Sequence, residues 1–300
     1  MKKEIVKYEN QLNTIPLTKF NGFDLDLFML ICAKMRNKGQ ELQVFSYDEL
    51  KETLGMSRRS DKEFQAEIDQ ITQKLTDLGT TVRNNTAFGH FKLFPTFFGS
   101  LEEVENDPIF GHVTARTLRV RVNPDLAFLL NEIGSQFTRF EFSEFIRLES
   151  KYSKNLYRLL KQYRTTGTYK VNADRFRELM DCPEKYKNMT FMRDCVNVAV
   201  TELSHGFFED LSVTPIRAHK RGAPIVAYEF TFKKSDQIPG QMSMEDYAPA
   251  EELIKQKPKP KKAGYKNRFN NFHQRDYDFN ALEKGLLTQQ RADQEGGGAE

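Results

Sequence analysis

The chain has 300 residues, enough for two domains, and its 25 Phe can fill real cores without any Trp. Its net charge at pH 7 is only +3, which excludes a uniformly polybasic adhesive and makes the placement of the cations decisive. Cys32, Cys182 and Cys195 are odd in number and far apart in the chain, a reduced pattern with neither a disulfide framework nor metal spacing. The start, MKKEIVKYEN, has no apolar run behind its lysines, and no stretch approaches transmembrane length. A soluble cytoplasmic protein is expected.

Met1 to Phe20 reads as an arm with a short strand, and Asp24 to Met35 as a strongly apolar helix ending near Asn37-Lys38-Gly39. Ser46-Tyr47-Asp48-Glu49 predicts a capping box opening a helix over Tyr47 to Leu54, followed by a turn at Gly55-Met56-Ser57. Ser60 to Glu63 predicts a second box, opening a long helix with the stripe Phe64, Ile68, Ile71, Leu75 and Leu78. Strands are expected at Thr81 to Asn84, His90 to Phe98 and His112 to Val122. The third helix carries Asp61, Glu63, Glu67, Asp69 and Asp77, which repel phosphate. Protein contact therefore suits this half better, with any DNA contact confined to Arg58, Arg59 and Lys62.

Asn123-Pro124-Asp125 predicts a helix to about Ile133, and another from Phe142 leads into Lys151 to Arg164. There Tyr152, Leu156, Leu159, Leu160 and Tyr163 share one arc, while Lys151, Lys154, Arg158, Lys161 and Arg164 spread over the other half. No acidic residue falls between Lys151 and Lys170, so phosphate contact is expected of this helix, a solvated face being the plainer alternative.

Asn172 can cap a short helix whose apolar side is Phe176, Leu179 and Met180. Asp181 to Lys187 is a turn, and Asn188 to His205 a second helix. Phe191, Met192, Cys195, Val196, Ala199 and Leu203 anchor one face of it, and Arg193, Asn197, Thr201 and Ser204 form a stripe opposite. Arg and Asn suit guanine and adenine edges, although an ordinary surface helix has the same look. Leu211 to Arg217 and Ile225 to Phe232 read as strands, the second with Val226, Tyr228, Phe230 and Phe232 on one side. They are joined by a basic tip, His219 to Pro224. Helix, turn, helix and hairpin make a winged helix-turn-helix whose wing, through Arg217, Lys220 and Arg221, can reach a backbone or minor groove.

A shift of 126 residues lays the two halves on each other: Leu30 on Leu156, Phe45 on Val171, Ser46 on Asn172, Leu50 on Phe176, Glu52 on Glu178 and Leu54 on Met180. Two copies of one winged-helix design are expected. After Ser235 comes a linker, then Lys255 to Arg275 with eight Lys or Arg and no acid, a composition that cannot bury a core. Phe269, Phe272, Tyr277, Phe279, Leu282, Leu286 and Leu287 return as anchors, suggesting a docking segment over 265–287.

Catalytic chemistry is not indicated. The five His residues form no cluster, and no GxxxxGK[ST] loop is present. Neither metal nor cofactor is expected.

The run Lys151-Tyr152-Ser153-Lys154-Asn155-Leu156-Tyr157-Arg158-Leu159-Leu160, then Phe176-Arg177-Glu178-Leu179-Met180, Tyr186 and Ala199 to Leu203, resembles initiator Rep proteins of iteron-bearing, theta-replicating plasmids. The resemblance covers roughly Ile5 to Lys234. It implies tandem winged helices, the second dominating contact with directly repeated origin sequences and the first mediating dimerisation. It also implies recruitment of a host initiator and of a replicative helicase or its loader, with a dimer repressing its own promoter while monomers open the origin.

The expected fold is α+β: a first winged-helix domain over 1–134, a second over 135–234, and a mostly disordered basic tail over 235–300. The expected DNA contacts are Lys151, Lys154, Asn155, Arg158, Lys161, Arg193, Asn197, Thr201, Ser204, Arg217, Lys220 and Arg221. A transcriptional regulator with a partner- or ligand-sensing first half, and a loader acting through its tail, remain open.

Overall fold

The computed structural model describes residues 4–83, 86, 88–131, 133, 136–219 and 223–235. All belong to one compact unit, Met1–Met242. The tail and its anchors lie outside the described residues.

The chain opens with β1 (Ile5–Glu9), a 3-10 turn (Asn10–Thr14) and α1 (Gly22–Met35). Asn21 caps α1 reciprocally: it accepts from the Asp24 amide at 2.9 Å, and Asp24 accepts from the Asn21 amide at 2.8 Å. Every α1 residue from Asp24 to Met35 except Lys34 is buried, so this helix is core, not an amphipathic surface element. Next come β2 (Gln43–Ser46), α2 (Tyr47–Thr53) and α3 (Asp61–Asp77). The Ser60 box forms as expected. Ser46 stands at the N-cap of α2 without a side-chain cap; the Tyr47 amide instead donates to the Arg116 carbonyl at 2.9 Å.

Hairpin β3 (Gly79–Arg83) and β4 (Phe88–Lys92) precedes β5 (Thr96–Ser100), β6 (Val104–Asp107), β7 (Gly111–Val113) and β8 (Thr117–Arg121). The long strands expected at His90 to Phe98 and His112 to Val122 are thus each broken, the first next to Pro95, which cannot donate to a ladder. The helix expected from Asn123 is only a 3-10 turn, Pro124–Leu129. Then follow β9 (Phe137–Glu141), the single turn α4 (Phe142–Phe145) and α5 (Lys151–Gln162). β10 (Thr168–Asn172), α6 (Ala173–Leu179), α7 (Asn188–Phe191), a π-helical turn (Met192–Asn197), α8 (Val198–Ser204), β11 (Ser212–Arg217) and β12 (Ile225–Thr231) complete it.

The duplication extends to hydrogen bonds. One sheet runs β2-β8-β5 and the other β10-β12-β11, with the last strand central in each. Shifted by 126, α2 coincides with α6 end for end. Both helices stop on a left-handed residue, Gly55 at φ 70° and Asp181 at φ 49°. The amide after it reaches back in both: Met56 to the Lys51 carbonyl at 2.7 Å, Cys182 to the Arg177 carbonyl at 3.1 Å. Leu30, Phe45, Leu50 and Leu54 are buried, and so are their counterparts Leu156, Val171, Phe176 and Met180.

The copies share one core. Each lends its leading strand to a common antiparallel pair, β1 against β9, in which Val6 faces Phe140 and Tyr8 faces Thr138. Beneath that pair α1 packs on α4 and α5. Buried apolar side chains run continuously from Val6 to Phe232.

Candidate nucleic-acid interface

The helix built from α7, the π turn and α8 keeps helical backbone across both junctions. Phe191, Cys195, Val196, Ala199 and Leu203 are fully buried, Met192 partly so. They rest on an aromatic cluster in which Phe176 lies 5.6 Å from Phe191 and Phe191 lies 5.8 Å from Tyr228. Arg177 stacks over Phe191 at 4.3 Å and donates to the Tyr186 carbonyl and the Asn188 side chain, each at 2.8 Å. The opposite face presents Arg193, Asn197, Thr201 and Ser204 to solvent.

Those four are not equally available. Asn197 and Thr201 have no side-chain hydrogen bond among the described residues, so their polar atoms are open to a ligand. Ser204 donates to the Val200 carbonyl at 2.6 Å. Arg193 pairs with its neighbour Asp194, Nε to Oδ1 at 2.5 Å, on a side chain that is 76% exposed. Glu202, between the stripe and the core, accepts from the Glu149 amide at 2.6 Å and ties the helix to the approach of α5. A shallow groove follows, lined by Ser150, Arg193, Asn197, Val198 and Thr201.

On the wing, Arg217 is exposed and donates to the Ala223 carbonyl at 3.0 Å, while Lys220 and Arg221 lie outside the described residues. Of the residues expected on one side of β12, Tyr228, Phe230 and Phe232 are buried and Val226 is 40% exposed.

The expected phosphate grip of α5 is overturned. Lys154 is 2% exposed, with Nζ 2.5 Å from Asp26 Oδ1 of α1 and 3.1 Å from the Phe145 carbonyl. Desolvation depresses the Lys154 ammonium, and it raises the Asp26 carboxyl to about 6 against the pull of Lys154. Arg158 is fully buried and, among the described residues, donates only to neutral acceptors: Asn155 Oδ1 at 3.2 Å, Asn13 Oδ1 at 3.3 Å and the Ile15 carbonyl at 3.4 Å. Asn155 is fully buried beside it. Lys151 is held by Asp181 at 2.8 Å and Lys161 by Glu144 at 2.8 Å, and Arg164 is buried. The run from Lys151 to Lys170 shows no acid because the carboxylates come from α1, α4 and the turn after α6.

Two further cations stand exposed beside the α7–α8 helix. Lys185 and Lys187, in the turn that delivers the chain into α7, make no ion pair among the described residues. Their position just before a helix start was a legible signal, since amides and lysines together attract phosphate there. In the first copy Arg58 and Lys62 are exposed, and Arg59 is paired with Glu67 at 2.6 Å. Glu63, Asp69 and Asp77 face solvent on α3, while Asp61 is held by Lys51 and Arg116, each at 2.9 Å.

Residues 5–161 match the family model described as initiator replication protein, WH1, and residues 172–232 match initiator Rep protein, WH2. The chain belongs to the initiator Rep protein family. The WH1 match ends inside α5. A probable replication protein rep of Bifidobacterium longum (strain NCC 2705) is 38% identical over 182 residues. That match takes in 60% of this chain and 57% of the relative, so it spans little more than half of the relative's length. The Pi initiator protein, solved in complex with iteron DNA, is similar in fold, with a TM-score of 0.56 and 15% identity over 79% of this chain and all of that one. This Rep chain is therefore a tandem winged-helix protein. Among the described residues, no helix is long and apolar enough to cross a membrane, and no group of three or more His, Cys, Asp or Glu could hold a metal ion.

Proposed function

We propose that this Rep protein initiates plasmid replication by binding directly repeated origin sequences, iterons, in duplex DNA through its second winged helix. The observation that carries the reading is the exposed stripe of α7–α8, where Asn197 and Thr201 stand unpartnered above a fully buried aromatic seat. A helix fixed on one side and polar on the other enters a major groove with its side chains on base edges. Arg193 and Asn197 read bases, Thr201 and Ser204 add contacts, and Lys185, Lys187 and Arg217 hold phosphates. Lys220 and Arg221 add two positive charges to the wing's sequence, as candidates for further phosphate contacts. Family membership and the Pi protein's complex with iteron DNA support the same role.

The first winged helix supplies protein contact, including homodimerisation, and any DNA contact there falls to Arg58 and Lys62. Recruitment of a host initiator and a replicative helicase or its loader, and repression of its own promoter as a dimer, complete the proposal. The test is fluorescence anisotropy with direct repeats from the DNA flanking its own coding sequence, beside scrambled duplexes of equal length. Tighter binding to the repeats supports it; equal affinity refutes it.

A further inference from the structure

Cys182 and Cys195, 13 residues apart in the chain, touch across the helix-turn-helix bend, their Sγ atoms 3.7 Å apart. Neither is in a disulfide. Cys182 is half-buried in the turn after α6, between left-handed Asp181 and Pro183. Cys195 is fully buried inside the π turn, two residues from both Arg193 and Asn197. A disulfide needs an S–S distance near 2.05 Å, a closure of about 1.7 Å. The turn holding Cys182 can supply part of it, because turns yield more readily than a packed helix, and the irregular π turn that holds Cys195 supplies the rest.

We propose that Cys182 and Cys195 form an oxidation site, a dithiol that a peroxide converts to a disulfide, and that this bond weakens sequence-specific DNA binding. The proposal rests on the reading of α7–α8 as the DNA-facing helix. In the first step the Cys182 sulfur attacks a peroxide oxygen, the O–O bond breaks, and Cys182 becomes a sulfenic acid as water leaves. In the second, the Cys195 sulfur attacks the sulfenic sulfur, the S–S bond forms and a second water leaves. Two thiols lose two electrons and one peroxide gains them. The new bond draws the π turn toward the helix-turn-helix bend and moves Arg193 and Asn197 out of register with the bases. Burial pushes the Cys182 thiol up to about 12, so little thiolate is present at neutral pH and the reaction quickens as pH rises.

The experiment treats the full chain with hydrogen peroxide at mildly alkaline pH, alkylates the remaining thiols and maps the peptides by mass. The expected result is a Cys182–Cys195 cross-link with Cys32, buried in α1, still alkylated after denaturation. Affinity for the flanking repeats should fall by roughly tenfold or more, the scale of one lost bidentate base contact, and return with dithiothreitol. Cys182→Ser should bind like the reduced protein before and after peroxide. Alkylation of both Cys182 and Cys195 after oxidation overturns the proposal. So does a cross-link that leaves affinity unchanged, or a Cys182→Ser protein that loses affinity to the same extent. Reduced protein that cannot tell repeats from scrambled DNA refutes the functional reading instead, and the peptide map still decides the dithiol.

Discussion

Lys154 and Asp26 stand 128 residues apart in sequence, yet they form a 2.5 Å ion pair that joins α1 of one winged-helix copy to α5, its counterpart under the 126-residue shift, in the other. Both groups lie inside the protein, and desolvation outweighs their attraction in each. Removing one partner leaves a buried charge. Lys154→Met or Asp26→Leu should each destabilise the fold, by about 3–5 kcal/mol for a broken buried pair. The double variant, apolar on both sides, should recover most of that loss. Urea unfolding of the four proteins measures the cycle; additive losses in the double variant would contradict the pairing.

The same pair gives a pH signature. The Asp26 carboxyl is raised to about 6 in the folded protein, above its ordinary value of 3.8. Between those values the folded state binds more protons than the unfolded one, so this group's contribution to stability falls as pH rises. The unfolding free energy of the natural protein relative to Asp26→Leu/Lys154→Met should therefore drop from pH 4 to 6. A difference that stays constant across that window would show that Asp26 does not titrate there.

Asn197→Ala should lower affinity for the cognate repeat by about 1–3 kcal/mol while leaving scrambled duplex unchanged. The substitution is on an exposed face and removes no internal hydrogen bond among the described residues, so stability should hold. Base-substituted duplexes locate the reader: preference should relax at one position only. An equal loss on every duplex would assign Asn197 to the backbone.

Replacing Lys185 and Lys187 together by Ala should reduce the slope of log affinity against log salt by about two, because each phosphate contact contributes about 0.9. Lys154→Met should leave that slope as it is, since its ammonium never reaches solvent. A slope altered by Lys154→Met and not by the double lysine variant would restore the phosphate role that the ion pair denies to α5.

The duplication was legible because it is written in short-range terms. The turn after Met180 and the spacing of buried Leu50 and Phe176 are local facts that survive the 126-residue shift, whereas the side-chain cap forms at Asn172 and not at Ser46. The exposed stripe was legible for the same reason, since helical period alone separates Asn197 from Ala199. The α5 cations were misread because their partners come from elsewhere in the fold. A single-sign run looks solvated or phosphate-bound until Asp26, Glu144 and Asp181 are placed beside it. A helical period of 100° per residue carries no trace of the π turn, and no local pattern shows that Cys182 and Cys195 meet across the bend.

Hydroxyl-radical footprinting of the reduced full chain on the DNA flanking its own coding sequence tests the central claim most directly. The account predicts protection over several evenly spaced direct repeats, lost first at the reader's base position in Asn197→Ala. Protection of a single palindrome over a promoter, or none at all, would contradict it.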